Sequence, residues 1–330
     1  MIECIFTIDY EIYGNGEGSL DELVYEPAAR LAEIFRKYDQ RFVAFVEAAE
    51  LDVIESAGTD PAVERVKEQI REFHGNGFEI GLHLHPQWYN ATRENGRWLL
   101  DYSEYNLCTL PKERIEQIVN RAIAWLRRVT GDDGYTPLAF RAGNWLFQPT
   151  QPAADILAGR GVRVDSSVFK GGLQRHHGLD YRRALRNGYC WRFSKQVDVP
   201  DPAGAMLELP IFTQMVPFWK MLTGKRIGMQ QKGAAAVQAA GSRVARMRDR
   251  LRFLYPLKLD FCRMTMTELT DMMDTAIREY MRDPGTFRPL VAIGHTKDLD
   301  DYDTVERFLR YLDQQGIPIS TFRQAYLKIG

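Results

Sequence analysis

The chain has 330 residues, 43 lysines and arginines against 44 acids, and a hydrophobic fraction of 45%. That length holds one large barrel or two ordinary domains, and the balanced charge excludes the global pull that draws basic proteins to nucleic acid. Cys4, Cys108, Cys190 and Cys262 lie far apart with no CxxC pair, which disfavours a thiolate zinc site and fits a reducing compartment.

Met1 is followed at once by an apolar strand pattern, and no apolar run approaches the ~20 residues of a membrane span, so the expectation is a cytoplasmic chain. Strand patterns run over 2–8, 42–46, 77–84, 137–141, 161–165, 205–211, 257–261, 290–294 and 317–320. Helical periodicity fills 26–38, 60–74, 111–129, 151–160, 265–282 and 301–315. Repeated β-then-α order predicts an α/β fold with a mainly parallel sheet, and this many units favour a closed barrel forming one domain over 1–330.

Two segments interrupt the rhythm. Residues 86–110 are aromatic and turn-rich, as expected of a long loop that walls a site. Residues 212–256 read as an insertion containing a helix with an apolar stripe of Val237, Val244, Met247, Leu251 and Leu254. Its other faces carry Arg243, Arg246, Arg248, Arg250 and Arg252 against the lone acid Asp249. The plain reading is a solvated basic face; the other is peripheral contact with phosphates or an anionic membrane surface.

Chemistry-bearing residues recur where strands end. The first strand runs into "FTIDYEIYGNGEGS", and residues two apart on a strand face the same side, so Asp9 and Glu11 share one space. The third ends "EIGLHLHPQW", which places His83 and His85 together by the same rule. Two imidazoles with a carboxylate hold a divalent metal and leave positions open for water and substrate. Then follow Arg141 in "FRAGNW", Asp165 in "VDSS" and His295 in "AIGHTKDL". Each has an ordinary structural explanation alone; together they match the catalytic rim of a barrel.

In this order the motifs resemble those of the polysaccharide deacetylase family, carbohydrate esterase family 4 with its NodB-like domain, and "RFVAFVEAAEL" resembles that family's second strand and turn. The resemblance implies a distorted (β/α) barrel, often seven-stranded, interrupted at about 212–256. It implies metal-dependent hydrolysis of N-acetyl or other N-acyl groups on amino sugars, usually with Zn2+. Carried over, Asp9 is the general base, Glu11 and His83 are metal ligands, Arg141 orients Asp9, and Asp165 is the partner of His295, the general acid. The family's histidine pair is spaced HxxxH, and Gln87 stands at the second position, so the third ligand is His85 or Gln87. Asn144 would supply a backbone N–H to the oxyanion, and Trp88 and Trp145 flat faces to a sugar. The substrate is a saccharide, lipid-linked if the basic helix meets the inner membrane face. The alternatives are a catalytically degenerate saccharide-binding descendant and an amidohydrolase-type barrel, which places HxH on its first strand rather than its third.

Overall fold

The computed structural model describes residues 1–185, 190–226 and 252–329. The strands are β1 (Ile2–Tyr10), β2 (Val43–Glu47), β3 (Glu79–Leu84), β4 (Thr92–Glu94), β5 (Arg97–Leu99), β6 (Ala139–Ala142) and β7 (Val164–Asp165), then β8 (Leu173–Gln174), β9 (Leu179–Asp180), β10 (Trp191–Phe193), β11 (Met206–Glu208), β12 (Thr213–Pro217), β13 (Leu254–Lys258) and β14 (Arg288–His295). The helices are α1 (Glu26–Lys37), α2 (Ala48–Ala57), α3 (Val63–Gly75), α4 (Lys112–Thr130), α5 (Ala153–Gly159), α6 (Met266–Arg282), α7 (Tyr302–Gln314) and α8 (Phe322–Ile329).

One curled sheet runs β10-β11-β7-β6-β3-β2-β1-β14, with all neighbours parallel except the edge pair β10–β11. Beyond β11 the chain reaches back to the far edge, where Ile211 bridges Val291 and the Phe212 N–H bonds the Val291 carbonyl at 2.9 Å. This is the expected distorted (β/α) barrel, with seven parallel strands.

Alternation along β1 sorts its residues between two layers. Cys4, Phe6, Ile8 and Tyr10 join the outer layer between sheet and helices, where Phe6, Phe35, Phe42, Phe73 and Phe78 form a chain of ring contacts. Fully burying each such ring contributes roughly 1.5–3 kcal/mol. Ile5 joins Val43, Phe45, Ala139, Val164, Leu207 and Val291 in a smaller inner cluster. That cluster is closed by α8, whose Phe322 meets Phe45 with ring centroids 5.7 Å apart and whose Lys328 pairs with buried Glu3. The inward parity that places Ile5 in the lumen also delivers Asp9 and Glu11 at its open end.

Four expected features differ. Helix α2 directly follows β2, and α8 ends the described chain; neither was expected. The strand expected at 317–320 is a single parallel bridge, Cys4 to Ile319. The strand expected at 257–261 divides: β13 pairs antiparallel with β12, and Asp260 then bridges Ile293 on β14. Of the insertion, the β12–β13 hairpin is described, and the basic helix expected over Arg243–Arg252 lies outside the described residues except Arg252. No described helix is long and apolar enough to cross a membrane.

Candidate active site

Ladder register builds the site. Glu47 pairs with His83, His83 with Arg141, and Asp9 with His295, so the C-terminal ends of β1, β2, β3, β6 and β14 present their groups to one space. All are buried, with Asp9 and His83 only 2% exposed.

Glu11, Glu47, His83 and His85 converge, each offering one ligand atom within 4.8 Å of the others. Glu11 Oε2 lies 3.4 Å from His83 Nε2 and 3.3 Å from His85 Nδ1. These spacings are long for good hydrogen bonds. They match the edge of a tetrahedron, about 3.3–3.4 Å when metal–ligand bonds are ~2.0–2.1 Å. The donors are also held from behind. His83 Nδ1 meets the Arg141 carbonyl at 2.8 Å, which leaves Nε2 facing Glu11. Lys297 Nζ donates to Glu11 Oε1 at 2.6 Å, which aims Oε2 at both imidazoles. Glu47 Oε1 accepts the Ala49 and Glu50 N–H groups as the N-cap of α2, while Oε2 accepts the His85 N–H at 2.6 Å and lies 2.9 Å from His85 Nδ1. The residues therefore fit a divalent ion: Glu11 Oε2, His83 Nε2 and His85 Nδ1 could hold it, and Glu47 Oε2, beside that same Nδ1, belongs to the donor group while its bond from the His85 backbone N–H fixes the loop.

Charge follows the same plan. Burial works to raise the Glu11 carboxyl, but Lys297, His85 and His83 outweigh it and hold it well below the usual range. Burial would neutralise His83, and Asp9 and Glu11 reverse that, lifting it to about 9. A divalent cation held there would replace a proton. Glu50 goes the other way: burial, then Glu11 and Glu47, push it well above its ordinary value, so it is neutral where its Oε1 accepts the Ile12 N–H.

Beside this cluster, Arg141 Nη1 grips Asp9 Oδ1 at 2.5 Å, and the rest of the guanidinium is bound by the Ser166 carbonyl and the Thr7 and Ser166 hydroxyls. Burial pushes Asp9 up, yet Arg141, His83 and His295 keep it below its ordinary value and therefore ionised. His295 Nε2 lies 3.5 Å from Asp9 Oδ2, and its Nδ1 faces Asp298 Oδ2 at 3.6 Å.

Asp165 does not reach His295. It pairs in register with Phe140, whose side chain belongs to the outer layer, so Asp165 points away from the lumen that Arg141 faces. There it accepts from the Ser167 N–H and hydroxyl and adjoins Glu208, its ladder partner. The group beside His295 is instead Asp298. Trp88 is 1% exposed and packed on Trp98, so it offers no face to a sugar. Trp145 does border the site, 6.4 Å from His295 between ring centroids, but Lys258 Nζ sits 3.3 Å from its ring centre. Asn144 and Trp145 both hold positive φ, 54° and 61°, an uncommon backbone that clusters at functional sites. Gln87 is buried, and its Oε1 finds no partner among the described residues.

Sequence reasoning missed Glu47, Lys297, Asp298 and Lys258. The first three lie at or next to strand ends already singled out, which was the available signal. Residues 86–110 fold into short 3₁₀ turns and the β4–β5 hairpin. The hairpin's Arg93, Arg97 and Trp98 face Ile12, Asn15 and Asp60 across a cavity of about 330 Å³.

No protein-family profile matches the sequence, and no curated protein matches it. Solved structures share its fold. A protein from Mycobacterium smegmatis assigned as a polysaccharide deacetylase is 16% identical with a TM-score of 0.54, over 98% of this chain and 88% of that one. A second, from Pseudomonas aeruginosa PAO1, is 13% identical with a TM-score of 0.54, over 98% and 89%. The PuuE allantoinase is 13% identical with a TM-score of 0.52, over 98% and 88%. The chain has the NodB-like barrel fold of the polysaccharide deacetylases.

Proposed function

We propose that this protein is a divalent-metal-dependent hydrolase that removes an N-acetyl or other N-acyl group from an amino sugar or saccharide. The observation that carries the reading is the spacing of Glu11, His83 and His85 next to an ionised Asp9 clamped by Arg141 and a His295 within reach of both. Two imidazoles and one carboxylate suit Zn2+. When bound, such an ion polarises the amide carbonyl and acidifies water enough for attack near neutral pH.

The chain's own groups do the proton work. Asp9 Oδ2, free of the arginine that holds Oδ1, accepts the proton of the attacking water. Arg141 keeps that carboxylate charged and immobile, because three further hydrogen bonds fix the guanidinium to Ser166 and Thr7. His295 gives a proton to the departing nitrogen, and Asp298 on its other ring nitrogen favours the charged form that does so. Low exposure keeps bulk water from competing for either proton. The experiment is acetate release from N-acetylglucosamine oligomers by protein loaded with zinc and by protein treated with chelator. Release that chelation abolishes and zinc restores supports the reading; protein that binds no metal stoichiometrically and frees no acetate refutes it.

The proposal extends to where the substrate is met. Between Pro217 and Arg252 the sequence carries nine lysines and arginines and one acid, in a chain whose net charge is −1. At the described edge of that segment Phe218, Trp219 and Phe253 are exposed, with Trp219 in ring contact with both phenylalanines. Aromatic groups beside basic charge favour an anionic bilayer surface, and a saccharide linked to lipid would be presented there, on the cytoplasmic side. Absence of co-sedimentation with phosphatidylglycerol vesicles at low salt would remove this part alone.

A further inference from the structure

Lys258 ends β13 at the rim of the site, and the reading above gives it no task. Its Nζ lies 3.3 Å from the centre of the Trp145 ring and 4.8 Å from that of Phe169. Among the described residues no carboxylate lies within ion-pair distance of it, although Asp260, two residues on, acts on it through space. Asp260 itself is engaged by the Cys262 and Arg263 N–H groups. The surroundings are otherwise poor for a cation: burial against two aromatic rings replaces much of its water, Arg263 and Arg141 repel it, and the attraction of Asp260 and Asp9 through space does not make up the difference. Stacking on an indole offsets part of that cost, but it satisfies none of the three N–H donors. Burial draws the amine down to about 7.

The position is informative. Trp145 contacts both groups: its ring centre lies 3.3 Å from Lys258 Nζ and 6.4 Å from the centre of the His295 imidazole. The hairpin therefore holds a donor-rich cation on the ring that also borders His295, near enough to Asp9 for the two charges to act on each other. The β12–β13 hairpin that delivers it is antiparallel and separate from the barrel sheet, so it is an addition to the rim rather than part of the frame.

We infer that Lys258 is the binding site for an anionic group, a phosphate or a carboxylate, carried by the substrate next to its N-acyl sugar. This deepens the function proposed above and rests on it for the identity of the sugar. An incoming anion supplies the missing acceptors, restores full charge to the amine and anchors the ring so that its acyl group faces Asp9 and His295. Trp145 then serves as the platform that holds the ammonium, not as a stacking face for the sugar.

The test uses full-length, zinc-loaded protein with ¹³Cε-labelled lysine, the Lys258 resonance being identified by its loss in Lys258→Met. Three probes are compared: N-acetylglucosamine 6-phosphate, N-acetylmuramic acid, which carries a carboxylate, and neutral N-acetylglucosamine. The expected result is that an anionic probe shifts the Lys258 resonance and raises its titration midpoint by about one pH unit, while the neutral sugar does neither. The anionic probe with the larger effect tells phosphate from carboxylate. In acetate release, Lys258→Met raises KM at least tenfold for that probe, leaves the neutral sugar unchanged, and Lys258→Arg restores part of the loss. A Lys258 resonance indifferent to both anions, or equally moved by the neutral sugar, overturns the inference. A shifted resonance without acetate release from any probe sinks the hydrolase instead and leaves the anion site standing.

Discussion

Substituting Gly143 with alanine tests the metal centre without touching any ligand. A Cβ at that position would stand 2.5 Å from the Leu84 carbonyl oxygen and 2.6 Å from His85 Cδ2, where ordinary contact begins at 3.4 Å. The β6 end and the His85 ring must therefore separate by about 1 Å, since neither a carbonyl nor a ring wedged beside Glu47 can fold away. Gly143 is not among the glycines with positive φ, so the cost is steric and not a matter of backbone preference. Overpacking of this kind costs roughly 1–3 kcal/mol of stability, and disturbing the support of a ligand lowers metal affinity about 10–100-fold. Isothermal titration with zinc, alongside urea denaturation, measures both. Gly58→Ala is the control: its φ of 60° caps α2, nothing lies within 4 Å of its Cβ, and it should lose about 1 kcal/mol with zinc affinity intact. Wild-type zinc affinity in Gly143→Ala would refute the assignment of His85 as a ligand.

Asp9→Asn should lower kcat for acetate release about 10²–10⁴-fold while zinc affinity stays within several-fold; a variant that keeps its activity removes Asp9 as the base. Asp298→Asn should move the alkaline limb of the kcat–pH profile to lower pH by on the order of one unit. Burial already holds His295 below its ordinary value and Asp298 is one of the groups resisting that, so its loss makes the acid form scarcer; a limb that stays put or moves upward contradicts the pairing. Glu208→Gln should stabilise the fold increasingly as pH rises above the unfolded carboxyl value. Burial, then Asp165, holds Glu208 protonated in the folded state, so stability is lost as pH climbs from the unfolded toward the folded value, at about 1.4 kcal/mol per unit in that window. Denaturation at pH 4 and pH 8 reads the difference, and equal effects at both would show that the carboxyl is not protonated.

The barrel was legible because its parallel strands are short apolar runs and most of them, β1, β3, β6 and β14 among them, are followed in the chain by a helical pattern that the sequence shows. Asp9, Glu11, His83, His85, Arg141 and His295 were legible because parity at a strand end fixes the face. The same rule failed at Asp165. Strand β7 has only two residues, so "VDSS" does not reveal that Ser166, not Asp165, turns inward to Arg141. Glu47 was hidden because it ends β2 and caps α2 at once, with no break in "FVEAAEL" to mark the change of period. Lys258 was hidden because a hairpin outside the sheet brings it to the rim, and its pairing depends on residues some forty positions away.

Most of the ring of strands is joined by continuous ladders, but among the described residues the seam that closes on β14 is held by two isolated bridges, Ile211 to Val291 and Asp260 to Ile293, with one hydrogen bond from Phe212 at the first and two with the Leu259–Phe261 stretch at the second. Local opening costs least where the fewest bonds must break. Asp9 and His295 lie on the β14 side of that seam, and the chain leaves the barrel for its insertion just beyond Phe212. Amide exchange at Phe212 should accordingly outpace exchange along β1 and β2, so the cylinder yields first beside the strand that carries His295.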